Sequence, residues 1–201
     1  MLKKIRQALL QKRENPYPNF EETALHVRET EPMDILFAER FTAVAGKFVY
    51  CEDEVSFIEN LLSLAEKEKL RKMYAWESPV QQLLDRYEFP FFRTEKDFME
   101  AEAGITTCEA LIARSGSVLV SNGNAGGRRL NIYPHIHIVV AYTAQLVMDI
   151  KDGLALMQQK YGAALPSLIS VVTGPSRTAD IEKTLVLGAH GPKELYVFLL
   201  D

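Results

Sequence analysis

Cysteine is scarce in this 201-residue chain, and the two thiols, Cys51 and Cys108, lie far apart with no C-x-x-C spacing. Neither an iron–sulfur cluster nor a structural zinc site can be built from them, because each needs several clustered thiolates. Two buried, unpaired thiols are expected instead. Long apolar runs are missing as well, since nothing approaches the roughly 18 residues that a membrane-spanning helix needs. Neither sign of charge dominates. The 23 basic residues are scattered and the net charge is −4, so no basic face marks a nucleic-acid footprint. The start, Met1 to Arg6, is basic, but no apolar stretch or small-residue cleavage site follows it, and a cytoplasmic protein is the expectation. Glycine clusters once, in N-G-N-A-G-G-R-R at 122–129. That segment lacks the lysine of a phosphate-binding loop and joins two apolar strands, so it reads as a flexible loop in which Arg128 and Arg129 offer charge.

What remains is an ordinary globular composition, 47% hydrophobic and 25% charged, which suffices for one core. Residues 1–31 read as an N-terminal arm and loop. Leu2, Ile5, Leu9 and Leu10 fall on one face of a helix to Arg13, ended by Asn15, Pro16 and Pro18, and such an arm suits oligomer or partner contact. Residues 32–201 read as a single α/β domain. Its expected elements are a helix from Pro32 to Val44, a strand at 47–51, a helix capped by Asp53 or Ser56, and a short strand near 72–76. Ser78-Pro79-Val80-Gln81 then reads as a capping box that opens a helix to about Tyr87. A short strand at 102–105 and a second capping box, Thr106-Thr107-Cys108-Glu109, follow, the latter opening a helix over 110–112. Strands at 117–121, 133–140, 168–172 and 194–200 and a helix at 149–161 complete the series. Strands alternating with helices imply a mostly parallel sheet covered on both faces, a three-layer α/β/α arrangement whose ligands bind at the carboxyl ends of strands.

One stretch concentrates anion-compatible chemistry. Thr173, Gly174, Pro175, Ser176, Arg177 and Thr178 end an apolar strand, and Asp180, Ile181, Leu185 and Val186 then fall at helical spacing up to Gly188. A strand-to-helix elbow of this kind would aim backbone N–H groups, two hydroxyls and a guanidinium at a carboxylate or phosphate. The plainer reading is a capped helix with Arg177 paired to Asp180. The turn at 188–192 adds His190 and Gly191 to the candidate binding residues. His135 and His137, two apart in a strand, would share a face, but no third ligand is spaced to make a metal site of them. His137 and His190 are the candidates for proton handling, and core histidines satisfied by hydrogen bonds are the alternative.

T-G-P-S-R-T-A-D-I-E at 173–182, G-x-H-G-P at 188–192, P-x-x-H at 134–137 and I-A-x-x-G-S from 112 resemble the LUD-domain family. The likeness is specific over about residues 100–201. It implies a fold similar to that of ribose-5-phosphate isomerase, glucosamine-6-phosphate deaminase and the CoA transferases. It also implies an accessory role in oxidising L-lactate to pyruvate, with iron–sulfur partner subunits holding the redox centre and a small anionic ligand, substrate or cofactor, at the elbow. One departure stands out: Arg114 lies where the family commonly has an acidic residue, so a carboxylate nucleophile or base there is not expected. Two other functions remain open, a stand-alone sugar-phosphate isomerase or acyl-transfer enzyme using the same crevice, and a non-catalytic interaction module.

Overall fold

The computed structural model describes residues 29–126, 129–181, 184–187 and 190–201, with backbone alone at 178–181 and 184–187. The expected helix at 2–13 and the loop that follows it to 28 lie outside the described residues. From Glu31 to Asp201 the chain forms one compact unit.

Helix α1, Met33–Ala43, starts after Pro32 and buries Leu36, Phe37 and Phe41, each worth about 1.5–3 kcal/mol. Strand β1, Lys47–Cys51, leads to helix α2, Glu54–Lys67, whose first turn is capped by the Asp53 carboxylate accepting from the Ser56 N–H at 2.7 Å. Strand β2 is short, Met73–Tyr74. Helix α3, Ser78–Arg86, begins one residue earlier than its sequence cap suggests. Glu77 occupies the cap position without capping, and Gln81 donates to the Ala75 carbonyl instead of closing a box.

Strand β3 runs Ala103–Thr106, and here the sequence misleads: the segment expected as a helix is strand β4, Ala110–Ile112, paired with β5, Ser117–Ser121. The polar groups that suggested a capping box bond to distant residues instead. Strand β6, Ile136–Tyr142, the short β7, Leu146–Val147, helix α4, Ile150–Tyr161, and strand β8, Ile169–Val172, follow. The expected elbow helix is also corrected: β9, Arg177–Ile181, and β10, Thr184–Leu187, form an antiparallel pair. The stretch is rich in β-branched residues, Thr178, Ile181, Thr184 and Val186, and its three periodic apolar positions fit either structure. Strand β11, Glu194–Leu200, closes the chain.

Five strands, in the order β1-β11-β6-β3-β2, make an all-parallel sheet with β11 inside it, as its apolar sequence requires. Helices α2 and α3 cover one face around Phe57, Leu61, Leu84 and Phe198. The other face packs on α1 together with a second, mixed sheet, β7-β4-β5-β8, through Phe37, Leu111, Val118, Val139 and Val197. Helix α4 covers the far side of that sheet through Met157. The α/β class therefore holds, with a β layer on one face where helices alone were expected. No described helix is long and apolar enough to cross a membrane.

After β5 the chain runs across β3 on its way to β6. It crosses at Gly104, where an added Cβ would lie 2.3 Å from the Leu130 carbonyl oxygen and 3.1 Å from Pro134. Leu130 is fully buried there, and the Arg129 guanidinium sits 4.9 Å from the Phe98 ring, so the strap is fixed on both sides. Gly104→Ala is expected to destabilise the fold by about 2 kcal/mol, a fall of roughly 4–8 °C in melting temperature by scanning calorimetry. An unchanged melt would show that the strap does not rest on this glycine.

Candidate functional site

A cleft opens at the carboxyl ends of β2 and β3, under the loop that follows β5, where open parallel sheets place their ligand sites. Glu77, three residues past β2, turns its carboxylate inward and is 5% exposed. It accepts the Thr107 N–H at 2.7 Å and the Thr107 hydroxyl at 2.5 Å, and the Gly126 N–H as well. A Cβ on Gly126 would lie 2.7 Å from the carboxylate, so only glycine brings the loop backbone this near. Burial pushes the Glu77 carboxyl up from its usual range, and the three donors only partly oppose it.

Thr106, the last residue of β3, shares a 2.8 Å hydrogen bond with His137 Nε2. His137 is 1% exposed, and burial pushes its pKa down to about 4, so its imidazole is neutral at neutral pH. A second carboxylate, Glu109, accepts the Ser121 hydroxyl at 2.6 Å, Lys160 Nζ at 2.9 Å and the Tyr161 hydroxyl at 2.8 Å. Burial acts upward on it, but these donors and the Lys160 charge outweigh burial and hold it below the usual range. Asn124 donates to the Thr107 hydroxyl at 3.2 Å, and the amide oxygen of Asn131, another wall residue, is buried with no hydrogen-bond partner among the described residues. About 10 Å³ of the half-open cleft is accessible to the centre of a water-sized group, room for one oxygen.

Of the residues expected to bind, the structure gathers Thr173 to Arg177 and Gly191 in a different place. Gly174, at φ 79°, lies where an added Cβ would be 2.2 Å from the Val44 carbonyl oxygen, and Arg177 Nη2 donates to that same oxygen at 2.8 Å. Ser176 N–H donates to the Pro192 carbonyl at 2.9 Å with Gly191 packed against its side chain, and Thr173 bonds Ser117 at 2.8 Å. Pro175 is buried. The anion argument loses its helix N-terminus here, and the guanidinium serves instead at the carboxyl end of α1, where a cation belongs. The side chains of Thr178 and Asp180 lie outside the described residues, as do Gly127, Arg128, Gly188 and Ala189.

His190 is exposed, and no described contact joins it to His137. His135 and His137 do not share a strand face, because β6 begins only at Ile136 and His135 stays exposed before it. Arg114 pairs with Asp149 through Nε at 2.6 Å and Nη2 at 3.3 Å, tying the start of α4 to the end of β4. Of the polar residues in the cleft wall or bonded directly behind it, only His137 stood out in the sequence. The usable signal was position: hydroxyls and carboxylates directly after two short apolar strands.

A family model described as LUD domain matches residues 36–200. Lactate utilization protein C of Geobacillus sp. (strain WCH70) is 35% identical over 113 residues, 54% of this chain and 47% of that protein. The protein of the same name from Bacillus subtilis (strain 168) is 34% identical over 105 residues, 51% of this chain and 44% of that one. The matched stretch thus spans about half the length of these curated relatives. A crystal structure of a DUF162 family protein from Deinococcus radiodurans superposes with a TM-score of 0.61 at 17% identity, covering 84% of this chain and 96% of that one, a likeness of fold.

Because the folded His137 pKa of about 4 lies below its ordinary 6.5, the unfolded chain takes up the proton first as pH falls. Stability should therefore drop between about pH 6.5 and pH 4, by on the order of 3 kcal/mol, and then stop changing on this account. Urea melts across that range should show the loss in the native chain, and His137→Gln should remove it.

Proposed function

The chain belongs to the LUD domain family, and from that premise we propose that it serves lactate utilization as an accessory protein of an L-lactate-oxidising system. The observation that carries this reading is the 35% identity to lactate utilization protein C within a domain matched from 36 to 200. Oxidising lactate to pyruvate removes two electrons, which need an acceptor. Both cysteines of this chain are buried, and burial raises the thiol pKa of each, so neither offers a ready thiolate. Iron–sulfur partner subunits would hold the redox centre. This chain's own contribution is the cleft lined by Glu77 and Thr106, with His137 bonded behind Thr106, which takes over the ligand role expected at the elbow now that the elbow carries no helix.

A second reading is favoured by one observation, the raised carboxyl of Glu77 in a cleft whose wall residue Thr106 is hydrogen-bonded to the neutral His137 imidazole. Such a pair suits proton transfer, and a stand-alone isomerase or acyl-transfer enzyme would use it. Turnover by the purified chain without partners separates this reading from the first. The interaction-module alternative rests on the arm at 2–13, outside the described residues.

Deleting the gene should abolish growth on L-lactate as sole carbon source while leaving growth on pyruvate intact, and a plasmid copy should restore it. A tagged chain should also recover iron–sulfur proteins from lactate-grown cells. Normal growth of the deletion strain on lactate would end the proposal.

A further inference from the structure

Among the described residues of the cleft wall, one buried acceptor is left without a donor while the hydroxyl donors are already engaged. The Thr107 hydroxyl proton is committed to Glu77, and the Ser121 hydroxyl proton to Glu109. Thr106 shares its hydroxyl with His137. On the accepting side, the Asn131 amide oxygen is buried without a partner among the described residues, and the Glu77 carboxylate adds acceptor oxygens in the same wall. A buried acceptor left unpaired costs on the order of 1–3 kcal/mol, so the slot favours an occupant that donates. Only about 10 Å³ is open to the centre of a water-sized group, so the donating group must be the size of one oxygen, and the rest of a small molecule would lie at the open mouth.

A carboxylate oxygen or a keto oxygen has no proton to give, and a carboxylate would also meet the Glu77 carboxyl at close range. A hydroxyl donates once and accepts twice, matching both Asn131 and the Thr106 hydroxyl. We propose that the slot between Glu77, Thr106 and Asn131 is a hydroxyl-recognition subsite that takes the 2-hydroxyl of a small 2-hydroxy acid and leaves its carboxylate at the mouth. The choice of a 2-hydroxy acid rests on the lactate-utilization reading, whereas the preference for a hydroxyl rests on the wall alone. His137 acts through Thr106 as a positioning residue: it fixes the direction of that hydroxyl, and its own ring nitrogen Nε2 is already engaged.

The test is a titration of the 201-residue chain followed by NMR of the Asn131 side-chain amide and the His137 ring. The probes are L-lactate, propionate, pyruvate and glycerol. L-Lactate should shift both sets of resonances, glycerol should shift them more weakly, and propionate and pyruvate should bind at least about 10-fold less tightly than L-lactate. Asn131→Leu and Thr106→Val should each abolish the response to L-lactate, and circular dichroism should show that they remain folded. If either variant fails to fold, the probe ranking on the native chain still decides. Propionate binding as tightly as L-lactate would overturn the subsite, because the carboxylate would then be what is read. A response to glycerol without one to L-lactate would overturn the 2-hydroxy-acid assignment. Silence from every probe would overturn the proposal while leaving the growth phenotype untouched, so its failure is separable from that of the lactate-utilization role.

Discussion

Placing the Glu77 carboxylate inside the protein is the constraint on which the rest of the site depends. A buried carboxyl group is tolerated only when it is hydrogen-bonded, and here the donors come from two separate segments, the end of β3 through Thr107 and the loop after β5 through Gly126. Meeting that need draws both segments to the point where β2 gives way to α3. The helix itself loses by the arrangement, since Glu77 stands at its cap position and does not cap it. A residue that forgoes a local stabilising contact, in order to bury its polar end at the carboxyl edge of a parallel sheet, is behaving as a site residue.

The strap between β5 and β6 completes the enclosure. It is held by a missing side chain at Gly104, by burial of Leu130, and by Arg129 over Phe98 and near Trp76, with Glu95 as its ion-pair partner. These fixings lie outside the cleft. Together with the Gly126 carbonyl, which accepts from the Leu130 N–H at 3.1 Å, they present Asn131 to it.

Much of the frame was legible in the sequence because it depends on local signals. Strands 47–51, 117–121 and 194–200 and the helix closed by Gly162 lie where alternation, apolar runs and caps place them. The site was far less legible, for a specific reason: the residues that cap helices are the same short hydroxyls and carboxylates that line polar clefts. Thr106, Thr107 and Glu109 spell a capping box, yet they bond to His137, Glu77 and Ser121, partners between 12 and 31 positions away in the chain. The elbow failed in the same way. Ser176 and Thr178 suggested a helix cap, whereas the β-branched residues downstream decided for a hairpin, and Arg177 found a helix carboxyl end 133 positions away. Single-sequence patterns report which groups are polar and near an element's end, and they cannot report which partner those groups will find.

The two buried carboxylates show how environment divides labour between chemically equivalent groups. Glu109 has Lys160 and two hydroxyls, which hold it ionised, and through Lys160 and Tyr161 it fastens α4 to the second sheet. Glu77 has neutral donors and no cation among its described contacts, burial raises its carboxyl, and the Glu109 charge raises it further. The first is therefore a fixed anchor, whereas the second carries a raised carboxyl facing the slot with no charge to offset its burial. Removing the Lys160 charge would blur that division, because Glu109 would lose the cation that keeps it ionised beside Ser121. The cleft's chemistry thus depends on α4, an element that contributes no residue to the cleft wall.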